Sequence, residues 1–557
     1  MNDTEAPYDL RMEPWIPWRR RSGRVEWGSI SMLTRDIAGD PVVALAAPRP
    51  DFNGALTEFL IGMLTVALLP RDERDWKEWW DQPPTPDALE QALKALPDAF
   101  RLNGAGPRFL QDFNETAFAD AETLPIERLL FDGPGEQALK LNKDLFVKRA
   151  SVMAIGPAAA AMALITMQTY APSGGQGHRT SMRGGGPLTT LVDPRWEAGA
   201  DCLWRYLWAN VETRQVWKER APSVPENNPA SLFPWMGPTR ESSKAGGPTT
   251  PADGHPLQVY FGMPRRVRLQ FGAAGRCDLT GESAGILIVG FHTKNYGVEY
   301  DSWPHPLSPY YQSKKQSHWL PVHPQPAGVG WKDWHGLTVE SAEYGSRPAQ
   351  AVSHFKSLRA RSVGCRVTRI SAFGVDFDNM KCRSWVEAAI PLFIAESDIA
   401  QVTLQETGGR LTRATEVAAA ALRMAIKSVI CAVPEDTAGD FALASAALWA
   451  ATEGAFYAAL GRLADHATDD ESANNEIVTF QRELATATLA VFDRWCPFDS
   501  VATTAIRRAV SARYSLKGTL SGHGKMGTKL FSELRMVPPK GSSKRPRASK
   551  DKRGVSA

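Results

Sequence analysis

No two of the six cysteines (Cys202, Cys277, Cys365, Cys382, Cys431 and Cys496) are spaced as C-x-x-C within the 557 residues. That excludes a zinc ribbon or a redox pair written in local sequence and fits reduced thiols. Long apolar runs are scarce as well. The longest, around AAAAMALITM (158–167), falls short of the roughly 18 residues that a membrane span requires, and Gly156-Pro157 precedes it. The opening MNDTEAPYDL is polar and acidic, unlike a secretory signal. The expectation is a soluble, cytoplasmic protein with no membrane contact.

Catalytic signatures are missing in the same way. The glycine-rich stretch APSGGQGHRTSMRGGGP (171–187) is closed by no Gly-Lys-Ser/Thr, so it is not a P-loop. It follows a helix-like segment rather than a strand, which argues against a dinucleotide fingerprint. Six of the ten histidines (His292, His305, His318, His323, His335 and His354) fall in one region, yet none forms H-E-x-x-H or H-x-H. WPHPLSP (303–309) reads as a Pro-bounded turn in which His305 bonds locally. A metal-dependent nuclease needs grouped Asp, Glu and His ligands, which this spacing does not provide. No cofactor and no metal are expected, and the chemistry points away from an enzyme.

What is present is a charge asymmetry. The tail from Val537 to Ala557 holds seven Lys or Arg against Asp551 alone, a net +6, so the rest carries −3 of the formal +3. Any nucleic acid must therefore meet local patches, with the tail adding unspecific attraction.

The texture up to about residue 395 is mixed, with short apolar runs and many Gly and Pro. Helices are predicted over Asn53–Leu69 and Ala158–Tyr170, and a strand at GILIVGF (285–291) after the turn LTGESA. After Leu404, alanine is dense and apolar residues recur at helical spacing: Ile477, Phe480, Leu484, Ala487 and Val491, and likewise Trp449, Phe456, Leu460 and Leu463. Four helices are predicted, at about 410–432, 439–466, 472–496 and 499–520, joined by short connections. The fold class is α+β: a large irregular mixed α/β domain (1–395), a C-terminal four-helix bundle (396–535) and a basic tail (536–557).

Within 171–187, six glycines surround Arg179 and Arg183, as in a loop that cradles phosphates. Further cations lie at Arg265, Arg266 and Arg268, at Lys294, and at Lys314-Lys315, interleaved with Phe291, Tyr296, Tyr310 and Tyr311. Cations meet phosphates and aromatic rings stack on bases, so the pattern suits nucleic acid. A nuclease with ungrouped carboxylates, or a scaffold contacting only protein and RNA, remain alternatives on the residues alone.

A resemblance adds to this reading. EPWIPW (13–18), RFLQD (108–112), the glycine loop, MRGGGPLTTLV (182–192), CDLTG (277–281), SWPHPLSP (302–309) and FGVDFDNMKCRSWVE (373–387) occur in family order. Together they resemble the CasA (Cse) family, the large subunit of the type I-E CRISPR complex Cascade. The resemblance implies a non-catalytic subunit that checks the protospacer-adjacent motif of double-stranded DNA from the minor groove. It implies contact with the guide RNA and other Cascade subunits, help in starting strand separation, and recruitment of a helicase-nuclease in antiviral defence.

The resemblance also assigns residues. Gly174, Gly175 and Gly177 match the glycine loop, Lys294 the lysine finger, and Asn379, Met380 and Lys381 the wedge. Arg179, Arg183, Lys314 and Lys315 are expected on the DNA backbone. Phe146, Val147 and Lys148 match the loop at the guide-RNA handle and a neighbouring subunit. Some members hold zinc near the position of Cys277; here that cysteine stands alone, and no zinc is expected.

Overall fold

The computed structural model describes residues 7–142, 149–175, 177–196, 201–220, 228–243, 246–313, 318–365, 367–378, 380–431, 441–465, 470–497 and 503–538. Two compact units divide the chain, Met1–Ile394 and Ala395–Ala557. The first is mixed α/β and the described residues of the second form helices, as expected.

The first unit is built from small antiparallel sheets around two buried helices. Strands β1 (Ile16–Arg20), β2 (Val25–Gly28) and β3 (Val42–Leu45) form one sheet with β1 central. Helix α1 (Pro50–Leu68) starts with Pro50 in its first turn, where the missing N–H costs nothing. By length and composition α1 could cross a membrane, which a search for uninterrupted apolar runs passes over; most of its residues are buried inside this unit. It packs against α2 (Pro157–Tyr170), whose alanines are nearly all buried. Phe59 of α1 meets Phe109 and Phe261 edge to face, within an aromatic cluster that includes Trp235.

Two sheets position the candidate site. In one, β4 (Thr123–Pro125) and β6 (Arg266–Phe271) flank β7 (Ile288–Lys294), and Arg266 pairs with Lys294 in register. The predicted strand at 285–291 thus begins and ends three residues later. In the other, β5 (Thr189–Asp193) pairs with β8 (Val367–Asp378), which forms a long hairpin with β9 (Lys381–Phe393). The hairpin is seated on α1 through a missing side chain: a Cβ on Gly54 would stand 2.4 Å from the Trp385 ring. Trp385 also stacks on Phe373 and meets Tyr170 edge-on.

In the second unit, α3 (Asp398–Ile430), α4 (Ala442–Asp465), α5 (Asp470–Trp495), α6 (Thr503–Leu520) and the shorter α7 (Gly524–Glu533) pack around a common core. The first helix begins twelve residues before the predicted 410. Ser397 caps it by accepting the Ala400 amide, and Gly408-Gly409, which reads as a break, is buried inside it. The sequence pattern does not anticipate α7, because Gly522 and Gly524 both adopt positive φ and read as a chain end. Ile477, Phe480, Leu484 and Val491 are buried as expected, while Ala487 yields its place to fully buried Thr488.

Candidate nucleic-acid interface

The glycine loop connects α2 to β5 and closes on itself. Ser181 N–H donates to the Ala171 carbonyl, and Gly186 N–H to that of Tyr170. Gly175 (φ 88°) and Gly177 (φ 77°) occupy the left-handed region, where a side chain adds strain. At the front of the loop, the Gly177 carbonyl accepts the Tyr296 amide at 2.7 Å. A Cβ on Gly177 would stand 2.8 Å from that of Asn295. At the back, a Cβ on Gly186 would stand 2.2 Å from the Val375 carbonyl of β8. The loop therefore touches both the end of β7 and the long hairpin.

Lys294 ends β7, half-buried, with its ammonium 6.0 Å from the Phe118 ring centroid. It lines an open cleft of about 590 Å³ with Arg266, Thr293, Asn295, Tyr296 and Glu241. Tyr296 holds φ 61°, a strained value for a non-glycine residue, and its amide bond to Gly177 is one contact that keeps it there. Met380 occupies the hairpin tip with 55% of its surface exposed, and Lys381, paired with Asp378 in register, is exposed beside it. Phe377 packs edge-on against Phe131 and steadies the strand leading to the tip. Asn379, Lys314, Lys315, Phe146, Val147 and Lys148 lie outside the described residues.

One expected backbone contact, Arg183, is corrected by its surroundings, and the other, Arg179, is engaged within the protein. Arg183 is only 3% exposed. Its guanidinium pairs with Glu58 at 2.6 Å and donates to Thr189 and Ser308, while Tyr170 donates to the same carboxylate. This buried network braces the loop from behind and leaves Arg183 no surface to offer DNA. Arg179 is part-buried; it donates to the side chain and carbonyl of Ser242 and pairs with Glu299 at 3.0 Å. It fastens the loop to the segment after β7 rather than presenting a free cation.

The run Arg265–Arg268 is corrected as well. Arg266 pairs with buried Asp112 at 2.6 Å and with Glu241, and Arg268 donates to the Asp112 carbonyl. Phe291, expected as a base-stacking ring, is buried. Arg265 differs from its neighbours: no ion pair is formed by it among the described residues, and burial lowers its pKa to about 10. Strand alternation groups Arg266 with Arg268 and sets Arg265 apart, a signal that could have singled it out. His178 is held below its ordinary pKa by burial, and then by the charges of Arg265 and Arg128.

Other expectations resolve locally. His305 Nδ1 accepts the Leu307 amide at 3.2 Å, as the Pro-bounded turn suggested. Gly281–Gly285 (GESAG) has the G-x-S-x-G spacing of a hydrolase nucleophile elbow. Ser283, however, lies in a two-residue strand paired with Gly275–Arg276, not on the strand-to-helix turn that an elbow requires. Among the described residues, no group of three His, Cys, Asp or Glu side chains is placed to hold a metal.

The sequence model described as CRISPR-associated protein Cse1 matches residues 9–491. The chain belongs to the Cse1 family. Its fold is shared by Thermobifida fusca Cse1 at 18% identity and a TM-score of 0.70, over 95% of this chain and 99% of that one. Thermus thermophilus CasA (Cse1) has 18% identity and a TM-score of 0.64, over 92% and 99%. A chain of a CRISPR RNA-guided surveillance complex has 17% identity and a TM-score of 0.65, over 92% and 100%. In this Cse1 protein, the glycine loop bonds to the segment just after β7 through Gly177 and packs on the long hairpin through buried Gly186, so it contacts both other segments.

Proposed function

We propose that this Cse1/CasA protein is the large subunit of a type I-E RNA-guided surveillance complex. In that complex it reads the protospacer-adjacent motif of double-stranded DNA from the minor groove. The observation that carries the reading is the junction at Gly177 and Gly186. One loop touches the segment just after Lys294 and the hairpin whose tip carries Met380.

Each part has a chemical task. A side-chain-free backbone lets the loop approach base edges. Lys294 donates to the acceptors that A·T and T·A pairs share in the minor groove, so related motifs are tolerated together. Met380, unbranched and exposed, enters between base pairs and unstacks them, at a cost of roughly a few kcal/mol per step. The guide RNA then pairs with the opened strand, and a separate helicase-nuclease is recruited for cleavage. The subunit works in the cytoplasm, in antiviral defence, alongside the other Cascade subunits, and needs no catalytic group of its own.

The test is to assemble the complex with its guide RNA and measure affinity for targets that differ only in the motif. A preference of about tenfold or more for one set of motifs is expected, the scale of one good base-edge contact. Equal affinity for all would remove the reading in favour of a protein and RNA scaffold. Cleavage of DNA by the purified chain with divalent metal would favour the nuclease.

A further inference from the structure

The glycine loop's own two guanidiniums are already neutralised. Arg183 is paired with Glu58, and Arg179 with Glu299. Arg265 has its backbone clamped by one side chain: its N–H donates to Gln168 Oε1 at 3.0 Å, and its carbonyl accepts from Gln168 Nε2 at 3.0 Å. From this fixed base the part-buried side chain reaches the glycine loop. Nη2 donates to the Pro172 carbonyl, while Nε, shielded from solvent, has no acceptor among the described residues. Nη1 lies against Gly174, where a Cβ would stand 2.4 Å away. Glycine at 174 is what leaves room for the guanidinium there.

Arg265 is part-buried, so its cation is partly stripped of water yet still within reach of solvent, and without a counter-charge that costs stability. Arg265 stays protonated at neutral pH, since burial brings it only to about 10. His178, whose Cβ lies beside Gly174, feels the positive charges of Arg265 and Arg128. A guanidinium with no counter-charge among the described residues is suited to an anion from outside.

We propose that Arg265 is a phosphate seat, on which a phosphodiester oxygen of the target DNA docks at the glycine loop and supplies the missing counter-charge. The inference rests on the DNA-reading function and adds to it the backbone anchor that Arg179 and Arg183 do not provide. A phosphate contact sets position and carries no sequence information. Its removal weakens correct and incorrect motifs alike.

The experiment compares wild type, Arg265→Gln and Arg265→Lys in the complex with guide RNA, on target DNA over a range of salt. Arg265→Gln is expected to lower affinity about tenfold for every motif. The slope of log affinity against log salt should shrink by about 0.9, as it does when one phosphate is no longer neutralised. Arg265→Lys should keep the slope and part of the affinity, since it keeps the charge without the planar fork. The DNA-free chain should melt no lower in Arg265→Gln than in wild type, because the variant is relieved of an unpaired, part-buried charge.

An unchanged salt slope and affinity in Arg265→Gln would overturn the proposal and leave the guanidinium a prop for Pro172. Loss of guide RNA or of subunits on co-purification would also overturn it, moving the contact away from DNA. If the wild type showed no motif preference, the DNA-reading function would fail by itself. The salt slope on unspecific DNA would then still decide whether Arg265 holds a phosphate.

Discussion

The Tyr296 amide donates to the Gly177 carbonyl at 2.7 Å, joining the glycine loop to the residue two positions after Lys294. The two segments lie far apart in sequence, yet this bond gives them one shared geometry. A change in the loop is therefore a change in the placement of Lys294.

The first prediction follows from that bond. Gly177→Ala forces a Cβ to 2.8 Å from Asn295 and 3.0 Å from the Tyr296 nitrogen, whereas a Cβ on Gly175 would meet nothing within 4 Å. Both residues hold positive φ, so each variant carries local strain of about 1 kcal/mol. Gly177→Ala should lose more target affinity than Gly175→Ala, while both chains assemble normally. Gel-shift affinity and co-purification check this; full affinity in both variants would leave the loop structural only.

Lys294→Ala is expected to weaken motif-dependent binding by about 1–3 kcal/mol, the range for one specific contact. Binding curves on a correct and an incorrect motif decide its role. A fall by the same factor on both would make Lys294 a phosphate anchor instead of a reader.

Met380→Gly removes the exposed side chain at the hairpin tip and leaves the strand pairing in place. Opening of an intact target duplex should slow about tenfold or more, because the unstacking cost of a few kcal/mol is no longer offset. DNA already mismatched beside the motif should bind normally. Stopped-flow fluorescence of a base analogue next to the motif reports the opening, and equal loss on both substrates would point to misfolding.

Arg183→Ala tests whether this guanidinium belongs to the interior or to the DNA surface. The substitution strands Glu58 in the interior without its partner, which costs about 3–5 kcal/mol of stability. Thermal melting should fall by several degrees. A variant with unchanged melting but weakened DNA binding would restore Arg183 to the DNA surface.

His323 gives a pH dependence. Its Nδ1 lies 3.0 Å from the Gly185 carbonyl, and burial holds its pKa below the ordinary 6.5. As pH falls through 6.5 the unfolded chain takes up the proton first, so stability is lost on acidification from about 6.5 down to the folded value. Above that window the contribution is fully present. Melting curves from mildly alkaline to mildly acidic pH should show this loss in wild type and a flatter profile in His323→Gln.

Part of the candidate site was marked in the sequence. Glycine density marked the loop, and the resemblance of FGVDFDNMKCRSWVE singled out the segment that the structure folds as a hairpin with Met380 at its tip. The fate of the arginines was not legible. Strand alternation separates Arg265 from Arg266 and Arg268, but nothing local tells which arginines are paired, because the partners Glu299, Glu58, Asp112 and Glu241 are distant in the chain. The start of α3 was hidden for another reason. Gly408-Gly409 has low helix propensity, and burial in the bundle outweighs that preference.

Local pattern was enough to divide the chain into a mixed unit and a helical one, since apolar periodicity and turn residues act over a few neighbours. Ordered blocks of short motifs were likewise enough to point to the family. Which charges are spent and which are free had to await the folded chain. Ion pairing depends on distances between segments that no local pattern encodes, and so does the burial that makes an unpaired Arg265 costly.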